Sequence, residues 1–103
     1  MERAKNIVRV DAFFDGIIFE FIDSYLEKAK INLENLNETE IKLLEKFAHS
    51  LSGTSGTYSL CELSEMASDL ESLAKRNELN QYKEKLKDII QYLETLEITF
   101  KKG

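Results

Sequence analysis

The chain has no proline and only four glycines in 103 residues. Proline fixes φ, and glycine serves where φ must be positive, so a chain poor in both has few places for tight turns. That excludes a sandwich or barrel of many short strands and favours long helices joined by brief connections. Cysteine occurs once, at Cys61, so no internal disulfide can form. A lone thiol fits a reducing compartment, and a cytoplasmic location is expected. A closed zinc site needs about four ligands, and one cysteine with one histidine gives it little to start from; no metal and no cofactor are expected on the chain.

Long apolar runs are missing too. Asp15, Glu20 and Asp23 interrupt the most apolar stretch, well short of the roughly 18 residues a membrane-spanning helix requires. The opening MERAKNIVRVDAFFDG lacks the basic start, apolar middle and small-residue cleavage site of a secretory leader. There is no excess of basic charge: the formal net charge is −5. Phosphate backbones and acidic membrane surfaces both demand a basic patch, so neither nucleic acid nor membrane is an expected partner.

What is present is helical periodicity. The length suits one domain, residues 1–103, with a single core. A first segment, about Ala12 to Leu36, repeats Ile18, Ile22, Tyr25, Ala29, Leu33 and Leu36 at threes and fours. Asp11 is its candidate N-cap, and Phe13, Phe14, Ile17, Phe19 and Phe21 make its start apolar nearly all round. A second segment follows Asn37, with Thr39 as candidate cap and Ile41, Leu44, Ala48, Leu51 and Ser55 as the stripe; Gly53 and Gly56 weaken it, and Gly56-Thr57 is the expected turn. A third starts near Tyr58 or Ser59, carries Leu60, Leu63, Ala67, Leu70 and Ala74, and ends in Lys75-Arg76. A fourth runs through Leu79, Tyr82, Leu86, Ile89, Leu93, Leu96 and Phe100, about 30 Å of helix. Four amphipathic helices with short connections predict an all-α, up-and-down antiparallel four-helix bundle. A coiled-coil homodimer fits poorly with breaks at SGTSGT and RNELN, and a monomer is expected.

The single histidine, His49, sits off the stripe. It lies about 130° from the mean of Leu44, Ala48 and Leu51, at roughly 100° per residue. It therefore faces outward, among Lys42, Glu45, Lys46, Ser52, Gly53 and Gly56. Ser52 shares that face, but a serine nucleophile needs a strained turn, an orienting acid and an oxyanion hole. SGTSG lacks the lysine and spacing of a phosphate-binding loop. What remains is nucleophilic use of an exposed imidazole, which can accept a phosphoryl group near neutral pH, with Gly53 leaving space one turn on.

At these residues the sequence resembles the histidine-containing phosphotransfer (HPt) domain family, whose pattern is A-H-x-L-K-G-x-[SA] followed downstream by L-x-x-x-x-x-x-L-E. Here it reads Ala48-His49-Ser50-Leu51-Ser52-Gly53-Thr54-Ser55, then Leu63 and Leu70-Glu71. The resemblance implies a four-helix bundle that relays phosphoryl groups between receiver-domain aspartates, with His49 as phosphoacceptor. It implies receiver domains of response regulators or hybrid kinases as partners, and magnesium on the receiver. Lys42, Glu45, Lys46, Ser52, Gly53 and Gly56 would then form the phosphoryl surround and docking face. The family has lysine where this chain has Ser52, which removes one charge from that face. The alternative is a helical adaptor that binds a receiver or another signalling protein without taking phosphate, and no kinase segment is recognisable.

Overall fold

Leucines and alanines at three-four spacing give each segment one apolar stripe, and burying four such stripes against one another builds the molecule. The computed structural model describes residues 6–101. It contains helices α1 (Asp15–Glu34), α2 (Ile41–Thr57), α3 (Cys61–Lys75) and α4 (Leu79–Glu94), with strands β1 (Asn6–Asp11) and β2 (Leu96–Lys101) outside them. The fold is all-α in class, an up-and-down four-helix bundle. Residues 1–5 and 102–103 lie outside the described residues.

The predicted stripes form the core. Ile18 and Ala29 of α1, Leu44, Ala48 and Leu51 of α2, Leu63, Ala67, Leu70 and Ala74 of α3, and Tyr82, Leu86 and Ile89 of α4 are fully buried. Each buried leucine or isoleucine contributes about 1.5–3 kcal/mol from removed apolar surface. The most extensive packing is α2 on α3, then α3 on α4 and α4 on α1. Aromatic rings join α1 to α2 and to the residue that ends it: Tyr25 lies 6.0 Å from Phe47, and Phe21 lies 5.0 Å from Tyr58. The Tyr82 hydroxyl crosses the core to donate to the Leu44 carbonyl at 3.0 Å.

Both α2 and α3 stop in the same way. Ser59 (φ 61°) and Asn77 (φ 57°) adopt left-handed backbone just past their helices. Leu60 N–H then donates to Ser55 O and Ser59 N–H to Gly56 O; Glu78 N–H donates to Leu73 O and Asn77 N–H to Ala74 O. These paired bonds satisfy carbonyls that a helix end otherwise leaves open.

Four local expectations are corrected. The helix of the second segment runs through both Gly53 and Gly56 to Thr57, and the turn falls at Tyr58-Ser59; packing against α3 overrides the low helix propensity of glycine. In consequence α3 starts at Cys61 rather than at Tyr58 or Ser59. Asp11 does accept from Phe13 N–H at 2.8 Å, but it caps a short 3-10 turn over Ala12–Phe14, and α1 starts at Asp15. Thr39 caps nothing: its hydroxyl donates back to Asn35 O at 2.7 Å, and Glu40 occupies the N-cap position.

The fourth segment also ends early. α4 stops at Glu94, and Leu96 and Phe100 belong to β2, which pairs in parallel with β1 from Asn6–Leu96 to Asp11–Lys101. A parallel pair needs a long crossover, and here the whole bundle supplies it. Asn6 Nδ2 donates to Thr95 Oγ1 at 3.1 Å, Val10 is fully buried, and Phe100 meets Phe19 of α1 edge-on at 6.1 Å.

Two buried phenols give the fold a measurable alkaline limit. Burial raises Tyr92 to about 12, helped by Glu62 and then Cys61, and burial pushes Tyr82 up further. An unfolded chain loses these protons near pH 10, so their contribution to stability is complete below about pH 10 and declines as pH rises toward about 12. Urea midpoints should hold steady to about pH 10 and then fall, and the Tyr82→Phe/Tyr92→Phe double variant should fall less steeply. At neutral pH, Tyr82→Phe should cost about 0.5–1.5 kcal/mol through its lost bond to Leu44. Tyr92→Phe should cost close to nothing, because the buried Tyr92 hydroxyl has no partner among the described residues.

Candidate functional site

With Ala48 and Leu51 fully buried, the phase of α2 leaves residue 49 no choice but solvent: the His49 side chain is 77% exposed. Cα–Cβ bonds in a helix lean toward its N-terminus, so the imidazole lies over the turn before it. There it shares an open depression with Lys42, Leu43, Glu45, Lys46 and Glu71. Four of the seven residues singled out in the sequence therefore meet, namely His49, Lys42, Glu45 and Lys46.

Glu71 comes from α3. Its carboxylate, with a side chain only 19% exposed, accepts from His49 Nδ1 at 3.1 Å and lies 3.6 Å from Lys75 Nζ. An ionised carboxylate only accepts, so the neutral ring carries its proton on Nδ1 and presents an unprotonated Nε2 to solvent. That is the arrangement of a positioned nucleophile, in which a neighbour fixes the tautomer and the reactive nitrogen is left open. The sequence placed Glu71 at the edge of the α3 stripe, next to the buried Leu70, but which helix that edge faces follows only from the packing of α3 on α2. The exposed Leu43 (54%) was missed because it lies off the stripe.

The remaining three residues are elsewhere. Ser52 is half-buried in the seam between α2 and α3, and its hydroxyl donates to Ser64 O at 3.2 Å and lies 2.8 Å from Ser68 Oγ. Ser64 Oγ returns a bond to Ser52 O at 3.0 Å. Ser52 is thus tied to α3 rather than directed at the imidazole. Gly53 is exposed, and a Cβ there would meet nothing within 4 Å. Gly56 lies a turn beyond, where a Cβ would make ordinary contact with Ser64 Oγ at 3.8 Å.

Beside the depression, a groove between α1 and α2 is lined by Tyr25, Ile31, Leu43, Lys46 and Phe47. The Tyr25 and Ser50 hydroxyls are hydrogen-bonded at 2.5 Å, bracing α1 against the residue that follows the histidine. Among the described residues, no group of three or more histidines, cysteines or carboxylates is placed to hold a metal ion. No helix among them is long and apolar enough to cross a membrane.

The bundle thus offers one oriented imidazole to solvent. The family model described as the Hpt domain matches residues 17–98, and the chain belongs to that family. The match starts inside α1 and ends within β2, so β1 lies outside it. Neither a curated protein nor a solved structure gives a significant match. Family membership places the chain in histidine phosphotransfer within phosphorelay signalling, where Hpt domains interact with receiver domains.

Nothing in the free chain explains a glycine at 53, in a helix interior with open space over it. Gly53→Ala should therefore raise stability by about 0.5–1 kcal/mol in urea unfolding. If an approaching partner uses the space, the same variant should slow phosphotransfer at unchanged fold; unaltered transfer would leave the glycine without a functional role.

Proposed function

We propose that the chain is a phosphorelay intermediate that takes a phosphoryl group onto His49 from the aspartyl phosphate of one receiver and passes it to the aspartate of another. One observation carries this reading: Glu71 holds Nδ1 while the ring stands open to solvent, so Nε2 is both oriented and accessible. In the forward step the Nε2 lone pair attacks phosphorus. The N–P bond forms as the P–O bond to the receiver aspartate breaks, and the carboxylate leaves with the electron pair. The Nδ1 proton stays on the ring, where the Glu71 carboxylate balances the cationic character of the phosphorylated imidazole. The reverse sequence, with a second receiver's carboxylate attacking phosphorus, discharges the group.

Magnesium belongs to the receiver on this reading and supplies charge neutralisation there. Lys42, Glu45 and Lys46 line the ground around the phosphoryl group. Gly53 and Gly56 extend the same helix face as a surface over which a receiver can settle, and the Tyr25–Leu43–Phe47 groove offers it apolar contact. We place the domain, residues 1–103, in the cytoplasm as a monomer, a reading supported by the single cysteine and the mixed-sign surface.

A second reading, an adaptor that binds a receiver without taking phosphate, is favoured by one observation: the Ser52 hydroxyl is engaged with α3 and offers a phosphoryl group nothing. Incubation with a phosphorylated receiver separates the two. The phosphorelay reading expects acid-labile, alkali-stable label on the wild-type chain and none on His49→Gln. It also expects Glu71→Ala to slow labelling about two- to tenfold through loss of one hydrogen bond to the ring. Label that survives His49→Gln would move the site elsewhere, and a chain that binds the receiver but takes no label would be the adaptor.

A further inference from the structure

A phosphoryl group on His49 would bring about −1.5 to −2 charges into a depression that already holds two carboxylates. The charged groups facing it are Lys42, Glu45 and Lys46 of α2 and Glu71 of α3, with Lys75 behind Glu71. Lys28 of α1 stands across the neighbouring groove, 5.0 Å over the Tyr25 ring. Glu71 is occupied by Nδ1 and Lys75, so Lys75 is already paired. Among the described residues, Lys42 and Lys46 enter no ion pair.

Helix geometry separates those two. Residues three or four apart on a helix have Cβ atoms about 5–6 Å apart, whereas residues seven apart stand about two turns, roughly 10 Å, away along the axis. Lys46 is three residues before His49 and Lys42 is seven. Because the imidazole leans toward the helix N-terminus, its Nε2 lies on the Lys46 side of the ring's own turn rather than on the Ser52 side. Glu45, four residues before His49, stands on that same turn with the opposite charge.

Resting on the reading of His49 as phosphoacceptor, we propose that Lys46 is the positioning cation for the phosphoryl oxygens and that Glu45 opposes it. The balance of charge at phosphohistidine is then set on the N-terminal side of the ring, by residues 45 and 46, while Ser52 on the C-terminal side serves the α2–α3 seam. Lys46 also lines the α1–α2 groove, so the same side chain links the phosphoryl group to the adjoining surface.

The test uses phosphoramidate as donor, which needs no receiver and so removes docking from the measurement. The Nε2 lone pair attacks phosphorus, the N–P bond to ammonia breaks, and ammonia departs. The phosphoryl proton affinity of the product, read by ³¹P NMR titration, reports the local charge directly, because a nearby cation favours the doubly ionised form. Lys46→Gln should raise that proton affinity by up to about fivefold and Glu45→Gln should lower it by a similar factor, both shrinking in high salt. Lys46→Arg should restore the wild-type value, Lys42→Gln should move it clearly less than Lys46→Gln because Lys42 stands about two turns away, and Ser52→Ala should leave it unchanged. Far-UV circular dichroism should match wild type for all five variants; urea midpoints should match for the four at positions 42, 45 and 46, while Ser52→Ala should lower the midpoint through its lost bonds to α3. A proton affinity indifferent to residue 46, or moved as far by Lys42→Gln, overturns the proposal while leaving phosphohistidine intact. A wild-type chain that takes no phosphate from phosphoramidate or from a receiver overturns the reading of His49 and this proposal together.

Discussion

The close packing of α2 against α3 governs everything else in the molecule. Its seam is built from small residues: Ala48, Ser52, Ser55 and Gly56 on one helix, Ser64, Ala67 and Ser68 on the other. Small side chains let two helix backbones approach closely, and hydroxyls reaching across that short distance satisfy one another and the facing carbonyls. The Ser55 hydroxyl is buried without a partner among the described residues, so its contribution is size. Rotating α2 by one residue about its axis would turn Ala48 out and His49 in, replacing a well-packed methyl with a ring that has no buried partner. The rotational setting of α2 is therefore fixed by packing energy, and the direction of the imidazole follows from it.

The same seam accounts for the orientation of the ring. Leu70 must be buried for α3 to pack, and this places Glu71 at the edge of the interface, within reach of His49 Nδ1. A single exposed salt bridge would contribute little stability, and here its consequence lies in which nitrogen is free. Ser52 shows the opposite case. Read along one helix it stands on the histidine's face; with α3 in place, its short side chain is drawn to Ser64 and Ser68. A lysine at that position could snorkel out of the seam, and a serine cannot. Loss of charge at 52 and a hydroxyl-lined seam are one structural choice.

Much of this was legible in the residues. The three-four repeats of Leu44–Ala48–Leu51 and Leu63–Ala67–Leu70 identified the helices and their buried faces, because burial enforces the period directly. Leu96 and Phe100 misled for a definite reason: a spacing of four satisfies both a helix and a strand, and only Ile98 between them, half-buried in a pattern alternating with exposed Glu97 and Thr99, marks the period of two. The glycines misled because propensity is a local quantity and the α2–α3 contact is not. Which residues surround the imidazole was legible only on one side. Neighbours within α2 follow from helical arithmetic, but Glu71 and the capture of Ser52 depend on how α3 is set against α2, which no single-helix pattern encodes.

The central claim is that packing fixes His49 outward and Glu71 fixes its tautomer, leaving Nε2 as the phosphoryl acceptor. The most direct measurement is long-range ¹H–¹⁵N correlation NMR on the ¹⁵N-histidine-labelled chain, before and after phosphorylation. The account predicts an Nδ1–H tautomer in the neutral free protein and phosphorus coupled to Nε2 in the product. An Nε2–H tautomer, or phosphorus on Nδ1, would contradict it.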